Sequence, residues 1–304
     1  MTSTDVSHPV DGTRAGLLSR IARVLACPDC KGPIDVEAAT AEAALACPHC
    51  GPKGRTRNGQ FLLGGFERED IEADWLNRRK EKAKKKLGRL YPLAIRALSP
   101  VYGADVVEHF LRSFDSERDL VADLGCGTTG HDERAVCVDG ADYPNVHVVA
   151  SLEELPFRDD SLAGIISMAV LEHVADPAAH VREMLRVLRP GGRVLCFVPF
   201  IQGFHASPRD YQRLTAEGLR QLFAEFEEIE TRVAGGPTSG LLWILQEWLA
   251  LTLSCGSRRL YRLLLPLMWV LSPLKYFDIL LASHPDATVI ASGHAIEARK
   301  PFAR

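Results

Sequence analysis

A short apolar run, Leu120-Val121-Ala122-Asp123-Leu124, leads directly into Gly125-Cys126-Gly127-Thr128-Thr129-Gly130. Apolar residues without regular polar alternation read as a strand buried on both faces, and glycines at its end read as a turn that lets backbone approach a ligand. Similar turns open the helix that holds the pyrophosphate of a dinucleotide. Here only about ten residues separate Gly125 from the next apolar run, Ala135-Val136-Cys137-Val138, which leaves little room for that helix. Asp139 ends this second run, where a carboxylate is placed to accept hydrogen bonds from sugar hydroxyls. The pattern therefore predicts an open α/β sheet whose ligand lies at the carboxyl ends of the strands.

Three more motifs follow the first: Leu155-Pro156-Phe157-Arg158-Asp159-Asp160-Ser161, Leu171-Glu172-His173-Val174-Ala175-Asp176-Pro177, and Leu185-Arg186-Val187-Leu188-Arg189-Pro190-Gly191-Gly192. In these residues and in Val121 to Gly127 the chain resembles the type 11 class I methyltransferases, which use S-adenosylmethionine. The resemblance implies a Rossmann-like sheet over residues 113–304, mostly parallel with its last strand antiparallel. It implies that Gly125, Cys126 and Gly127 admit the methionine moiety, and that Asp123 holds its amino end directly or through water. Asp139, or Asp142 beside it, would hold the ribose; Ser151 and Leu152 would border adenine, and Met168 the sulfonium. Relatives carry an acid where Ser151 stands, so a hydroxyl contact or a water must substitute. His173 is read as structural, and Gly191-Gly192 as a helix-to-strand turn that needs positive φ.

Toward the N-terminus, Cys27-Pro28-Asp29-Cys30 and Cys47-Pro48-His49-Cys50 are two CxxC knuckles about sixteen residues apart, the spacing of a four-thiolate zinc site. A closed shell of four thiolates cannot activate water, so the metal is expected to be structural Zn2+. Residues 20–66 resemble the zinc ribbons of the tRNA-methyltransferase activator family, whose members activate or accompany methyltransferases. Cys126, Cys137, Cys196 and Cys255 sit singly among apolar residues and read as core, not disulfides. Free thiolates imply a reducing compartment, hence a cytoplasmic location.

Acceptor residues should follow the fifth strand, at its carboxyl end. Pro199 to Thr215 resembles a polar segment found in a subset of these methyltransferases. Within it His205 is the candidate general base, Tyr211 a candidate to orient the acceptor, and Asp210 and Arg213 candidates to bind it. The bland alternative pairs Asp210 with Arg213 and uses Thr215 to cap a helix over 216–225. Beyond lies an apolar helical insertion, about 238–283, for which three uses compete: a cover over the acceptor cavity, a homodimer surface, or a contact with lipid or membrane. Its longest uncharged run, Leu263 to Leu274, carries two prolines and falls short of the roughly 20 residues that span a bilayer.

The remaining stretches are a polar lead over 1–19, expected to be disordered, and a connector over 67–112. The connector holds the basic run Arg78 to Lys86, then helices expected to form a lid. A formal net charge of −3 gives no general pull toward nucleic acid, so such a contact would depend on that local run. The expected activity is methyl transfer to an oxygen or nitrogen of a small molecule, such as a sugar or a secondary-metabolite intermediate. The rivals are an RNA or protein methyltransferase that uses the ribbon for contact, and a silent binding scaffold that kept the fold.

Overall fold

A computed structural model describes residues 12–36, 43–64, 86, 88, 93, 97–101, 106–206 and 209–302. Helix α1 (Gly12–Val24) corrects the disordered lead from Gly12 onward. Leu17, Leu18, Ile21 and Leu25 recur at helical spacing and pack into the main core, which gives this segment a reason to fold. A small antiparallel meander follows: β1 (Asp35–Val36), β2 (Ala44–Cys47), β3 (Gly51–Arg57) and β4 (Gln60–Leu62). Asn58 and Gly59, both at positive φ, make the tight turn between β3 and β4.

The larger sheet contains β5 (Val121–Leu124), β6 (Val136–Asp139), β7 (Val148–Val149), β8 (Leu162–Met168), β9 (Leu188–Pro199), β10 (Glu227–Gly235) and β11 (Gly293–Arg299). Its order is β7-β6-β5-β8-β9-β11-β10, with β11 antiparallel to both neighbours. This is the expected mostly parallel sheet with an antiparallel last strand.

The meander does not stand apart from that sheet. β4 pairs in parallel with β7, Phe61 opposite Val148 and Leu62 opposite Val149, so all eleven strands form one sheet. Ala26 N–H donates to Pro156 O at 2.9 Å and Arg158 N–H to Val24 O at 2.9 Å, tying the first knuckle to the turn before β8. Ile21, Leu25, Leu45 and Phe61 share one apolar cluster with Leu155, Phe157 and Val181. A module too small for its own core has borrowed one.

Helix α2 (Val106–Leu111) buries Val106, Phe110 and Leu111. Helix α3 (Pro177–Val187) starts where Asp176 accepts from Ala179 N–H and Pro177 fills the first turn; it buries His180, Val181, Met184 and Val187 on one face. Gly191-Gly192 lies within β9 and not in a separate helix-to-strand turn, and only Gly191 has positive φ (+77°), where a Cβ would stand 2.4 Å from the Phe302 ring. Helix α4 (Ala216–Leu222) is capped by Thr215, whose hydroxyl accepts from Gly218 N–H, and ends three residues short of the expected boundary.

Between β10 and β11 lies the apolar insertion: α5 (Pro237–Leu253), α6 (Arg258–Met268), a 3-10 turn over Trp269–Phe277 that carries Pro273, and α7 (Asp278–Leu281). Buried Asp278 caps α5 from 40 residues away, accepting from Thr238 N–H at 2.7 Å and Ser239 N–H at 2.8 Å. Lys275, also buried, donates to Ser99 O at 2.6 Å, and the Ser272 hydroxyl donates to Leu98 O at 2.7 Å. Cys126, Cys137 and Cys196 are core residues as expected, whereas Cys255 is exposed just past α5. Most of the connector, including positions 78–85 of the basic run, lies outside the described residues.

Candidate active site

At the end of β5 the chain turns through Gly125 (φ +70°), Cys126 and Gly127 (φ +59°). A Cβ at Gly125 would stand 2.5 Å from a methyl of Val170, so only glycine lets the turn pass that close; a Cβ at Gly127 would meet nothing within 4 Å. The first glycine serves packing, and the second faces open space. Asp139 spans the turn from β6, accepting from Gly127 N–H at 2.9 Å and from Ala141 N–H at 2.9 Å. Burial raises its pKa above the ordinary carboxylate value, against those two backbone donors. Asn145 Nδ2 donates to Gly127 O at 3.0 Å and holds the other side of the turn.

Asp123 is fully buried, and both its oxygens meet His131, which offers its backbone N–H at 2.9 Å and its ring Nδ1 at 3.0 Å. These bonds tie Asp123 to the far end of the glycine turn. Burial opposes the imidazolium, but the Asp123 carboxylate outweighs it and raises the His131 pKa. Asp142, the alternative ribose partner, is paired with Arg57 of β3.

Ser151 is exposed, and its hydroxyl accepts from Glu153 N–H at 3.2 Å. Leu152 is half-buried and its carbonyl accepts from the His180 ring at 2.5 Å. Met168 ends β8, half-buried, opposite Phe197 of β9.

On the acceptor side, residues 209–213 clasp the loop after β8. Tyr211 N–H donates to Glu172 O at 2.8 Å and Gln212 Nε2 to Leu171 O at 2.9 Å. Asp210 and Arg213 are joined by two bonds, at 2.5 and 2.7 Å, and Asp210 also accepts from His205 N–H at 2.8 Å. Arg213 reaches on to Gly203 O and Gln202 O. The pair thus ties the His205 loop together. Tyr211 is half-exposed, with its hydroxyl 3.4 Å from Arg209 Nη1.

His205 lies half-buried with its Nε2 3.4 Å from Glu172 Oε1, and His173 Nε2 is 3.7 Å from the same oxygen. Burial opposes protonation of His205, yet the Glu172 carboxylate keeps its pKa above the ordinary value. Trp243 of α5 closes over this loop: its indole nitrogen comes within 2.8 Å of a Cβ position on Gly203, and its ring centroid is 5.4 Å from that of His205.

Residues 88–196 match the family described as "Methyltransferase domain", of type 11. The match covers about a third of the chain and runs from before β5 into β9. The chain is 40% identical over 84 residues to a "Probable S-adenosylmethionine-dependent methyltransferase" of Mycolicibacterium smegmatis, covering 27% of this chain and 33% of that one. A protein of the same description from Mycobacterium tuberculosis is 41% identical over 112 residues, 34% of this chain and 41% of the relative. "Probable tRNA methyltransferase 9B" of Mus musculus is 37% identical over 95 residues, 26% and 21% of the two chains. The chain thus spans well under half the length of each of these relatives.

In the meander at the β7 edge of the sheet, the four knuckle sulfurs of Cys27, Cys30, Cys47 and Cys50 lie within 4.8 Å of one another, with Cys30 Sγ and Cys47 Sγ 3.5 Å apart. Tetrahedral zinc with sulfurs at ~2.3 Å separates them by about 3.8 Å, so this donor set fits the ion. Burial opposes the Cys47 thiolate, but the N–H groups of Cys50 and His49 and the neighbouring thiols bring its pKa down to about 7.

On the insertion's inner face, Trp243 packs against Gly203 and His205. Its outer face leaves Leu263, Leu267, Val270, Phe277 and Leu280 exposed, and Arg258–Leu281 is one helical stretch long and apolar enough, by length and composition, to cross a membrane.

Two residues of the glycine turn escaped the sequence reading, and two near His205 were read as structural. His131 and Asn145 carry no motif of their own. Glu172 and His173 were visible as an acid beside a histidine, but inside a motif read as architecture.

Proposed function

We propose that this protein transfers the methyl group of S-adenosylmethionine to an oxygen or nitrogen of a small molecule. The observation that carries this reading is the turn after β5: Gly127 presents bare backbone to open space beside the Asp139 carboxylate. S-adenosylmethionine, when bound there, supplies a methyl group on a sulfonium, activated for displacement. Each Asp139 oxygen accepts one backbone N–H and keeps a lone pair for a ribose hydroxyl. His131 and Asn145 hold the turn in shape, Leu152 and Ser151 border the adenine side, and Met168 borders the sulfonium.

Across the site, Asp210 and Arg213 position His205, the residue placed to take a proton from the acceptor. Trp243 covers the loop and limits water at the transferring carbon. In-line placement supplies much of the rate in such a displacement, so the burden on any single base is modest. The ribbon would hold one structural Zn2+ on Cys27, Cys30, Cys47 and Cys50, and a reducing cytoplasm would keep those thiolates available.

The second reading, methylation of RNA, is favoured by the tRNA methyltransferase relative. Against it, Lys53 and Arg57 on the ribbon's β3 are paired with Asp29 and Asp142 and so offer little charge to phosphate. Calorimetric titration with S-adenosylmethionine and S-adenosylhomocysteine tests the primary reading. Saturable binding is expected for the native chain and none for Gly125→Arg, whose side chain must displace Val170 or fill the turn. No binding by the native chain would leave a silent scaffold.

A further inference from the structure

The acceptor side contains a buried carboxylate whose oxygens accept no hydrogen bond from the described residues. Glu172 is 1% exposed, and neither oxygen accepts a hydrogen bond among the described residues. A buried carboxylate without donors costs several kcal/mol, so some cation or proton is expected to meet it. Two histidines point at it.

The His173 ring Nδ1 lies 2.5 Å from Arg209 O, and the His205 Nδ1 lies 3.0 Å from Gly203 O, nearer than Arg213 Nη2 at 3.3 Å. A carbonyl oxygen only accepts, so each Nδ1 carries a proton, and each ring, when neutral, offers a lone pair at Nε2. Those two nitrogens stand 3.7 and 3.4 Å from Glu172 Oε1. Three lone-pair donors thus converge within 4.8 Å of one another, and they repel unless a positive centre lies between them. A proton on His205 would answer one contact; a divalent ion answers all three. Backbone carbonyls on the far ring nitrogens are also the support that metal-bound histidines use to keep their orientation.

We propose that Glu172, His173 and His205 form a binding site for a divalent transition metal, distinct from the ribbon. Two imidazoles and one carboxylate are a donor set used by zinc and by non-haem iron when coordination positions stay open for water or substrate. The site lies in the loops after β8 and β9, under Trp243, where the acceptor is assigned above. Resting on that assignment, the substrate class narrows to molecules whose hydroxyl oxygen ligates the metal. Ligation lowers the hydroxyl pKa and its proton leaves to solvent, so in the metal-bound site His205 serves as a ligand and gives up the role of base. An oxygen lone pair then forms the new O–CH3 bond as the C–S bond breaks, and the departing pair stays on sulfur as the neutral thioether.

The test counts metal in the full chain. Protein equilibrated with Zn2+, freed of excess by gel filtration and measured by elemental analysis should hold two zinc ions per chain. Glu172→Gln and His173→Gln should each hold one, with far-UV circular dichroism and the retained ribbon zinc identifying folded protein. Glu172→Gln removes a buried charge and is expected to fold; His173→Gln, at a half-buried position, is the second probe. Added Zn2+ should raise the Tm of the native chain further than that of either variant. One zinc in the native chain, or two in all three proteins, would overturn the site and leave a His205–Glu172 charge pair. Because the count needs no S-adenosylmethionine, its failure is separable from failure of the calorimetric test.

Discussion

The ribbon's four cysteines and the Glu172–His173–His205 group are both clusters of metal-type donors, built in opposite ways. The first knuckle closes on itself, Cys27 N–H donating to Gly32 O at 2.8 Å and Lys31 N–H to Cys27 O at 2.8 Å, and the second is the turn between β2 and β3, with Cys47 opposite Gly51. Chain spacing alone aims those sulfurs. The second cluster joins residues from two separate strand-end loops, and the 209–213 segment holds it from outside through the backbone of Glu172 and the ring of His173. The difference teaches that a local donor cluster announces itself as a spacing, whereas a cluster closed by tertiary contacts has none. It also separates roles: loss of the first site should undo structure, and loss of the second should leave the fold standing.

The sharpest way to break that contrast is Cys47→Ser together with Cys50→Ser. Structural zinc contributes about 10–16 kcal/mol of apparent binding free energy in isolated finger peptides, so the expected result is a large fall in Tm and rapid proteolysis within residues 25–62. A double variant that melts like the native chain would mean that the borrowed core, not the metal, folds the ribbon.

A smaller effect is expected from Phe61→Ala, which empties a 5% exposed position on the strand that joins the meander to β7. Truncating a buried phenylalanine costs about 3–5 kcal/mol. Chemical denaturation should show one cooperative transition shifted to lower denaturant, because the ribbon and the large sheet share a core. Two separated transitions would show that the parts fold independently.

The smallest effect concerns a third carboxylate–histidine pair, Asp123 with His131, which is satisfied where Glu172 is not. Its folded pKa is raised by Asp123 against burial. The stabilisation is therefore fully present below the unfolded value of about 6.5 and is lost as pH rises through the raised folded value. The imidazole resonance of His131 should titrate above the ordinary histidine value, and His131→Asn should flatten the Tm profile in that window. Titration at or below the ordinary value would remove this pair from the account of the turn.

Much of the site was legible because it is local. The zinc knuckles, the glycine turn after β5, the Asp139 strand end and the Asp176 helix cap all depend on residues a few positions apart. Other features depend on partners far along the chain. His131 meets both oxygens of Asp123, and Arg57 of the ribbon pairs with Asp142. The alternative of an Asp210–Arg213 pair was open at the level of sequence, and packing of the loop against Gln202 and Gly203 decided it.

The sequence by itself determined the class of sheet, the order of its motifs and the four thiolates, since hydrophobic period, glycine conformation and ligand spacing act over short stretches of chain. Only the tertiary structure decided that the ribbon extends the large sheet through β4 and β7, and that α5 covers His205. It alone brought two imidazole nitrogens to the buried carboxylate of Glu172. Those outcomes follow from burial and pairing between distant segments, and the free energy of such contacts is not carried by any one stretch of residues.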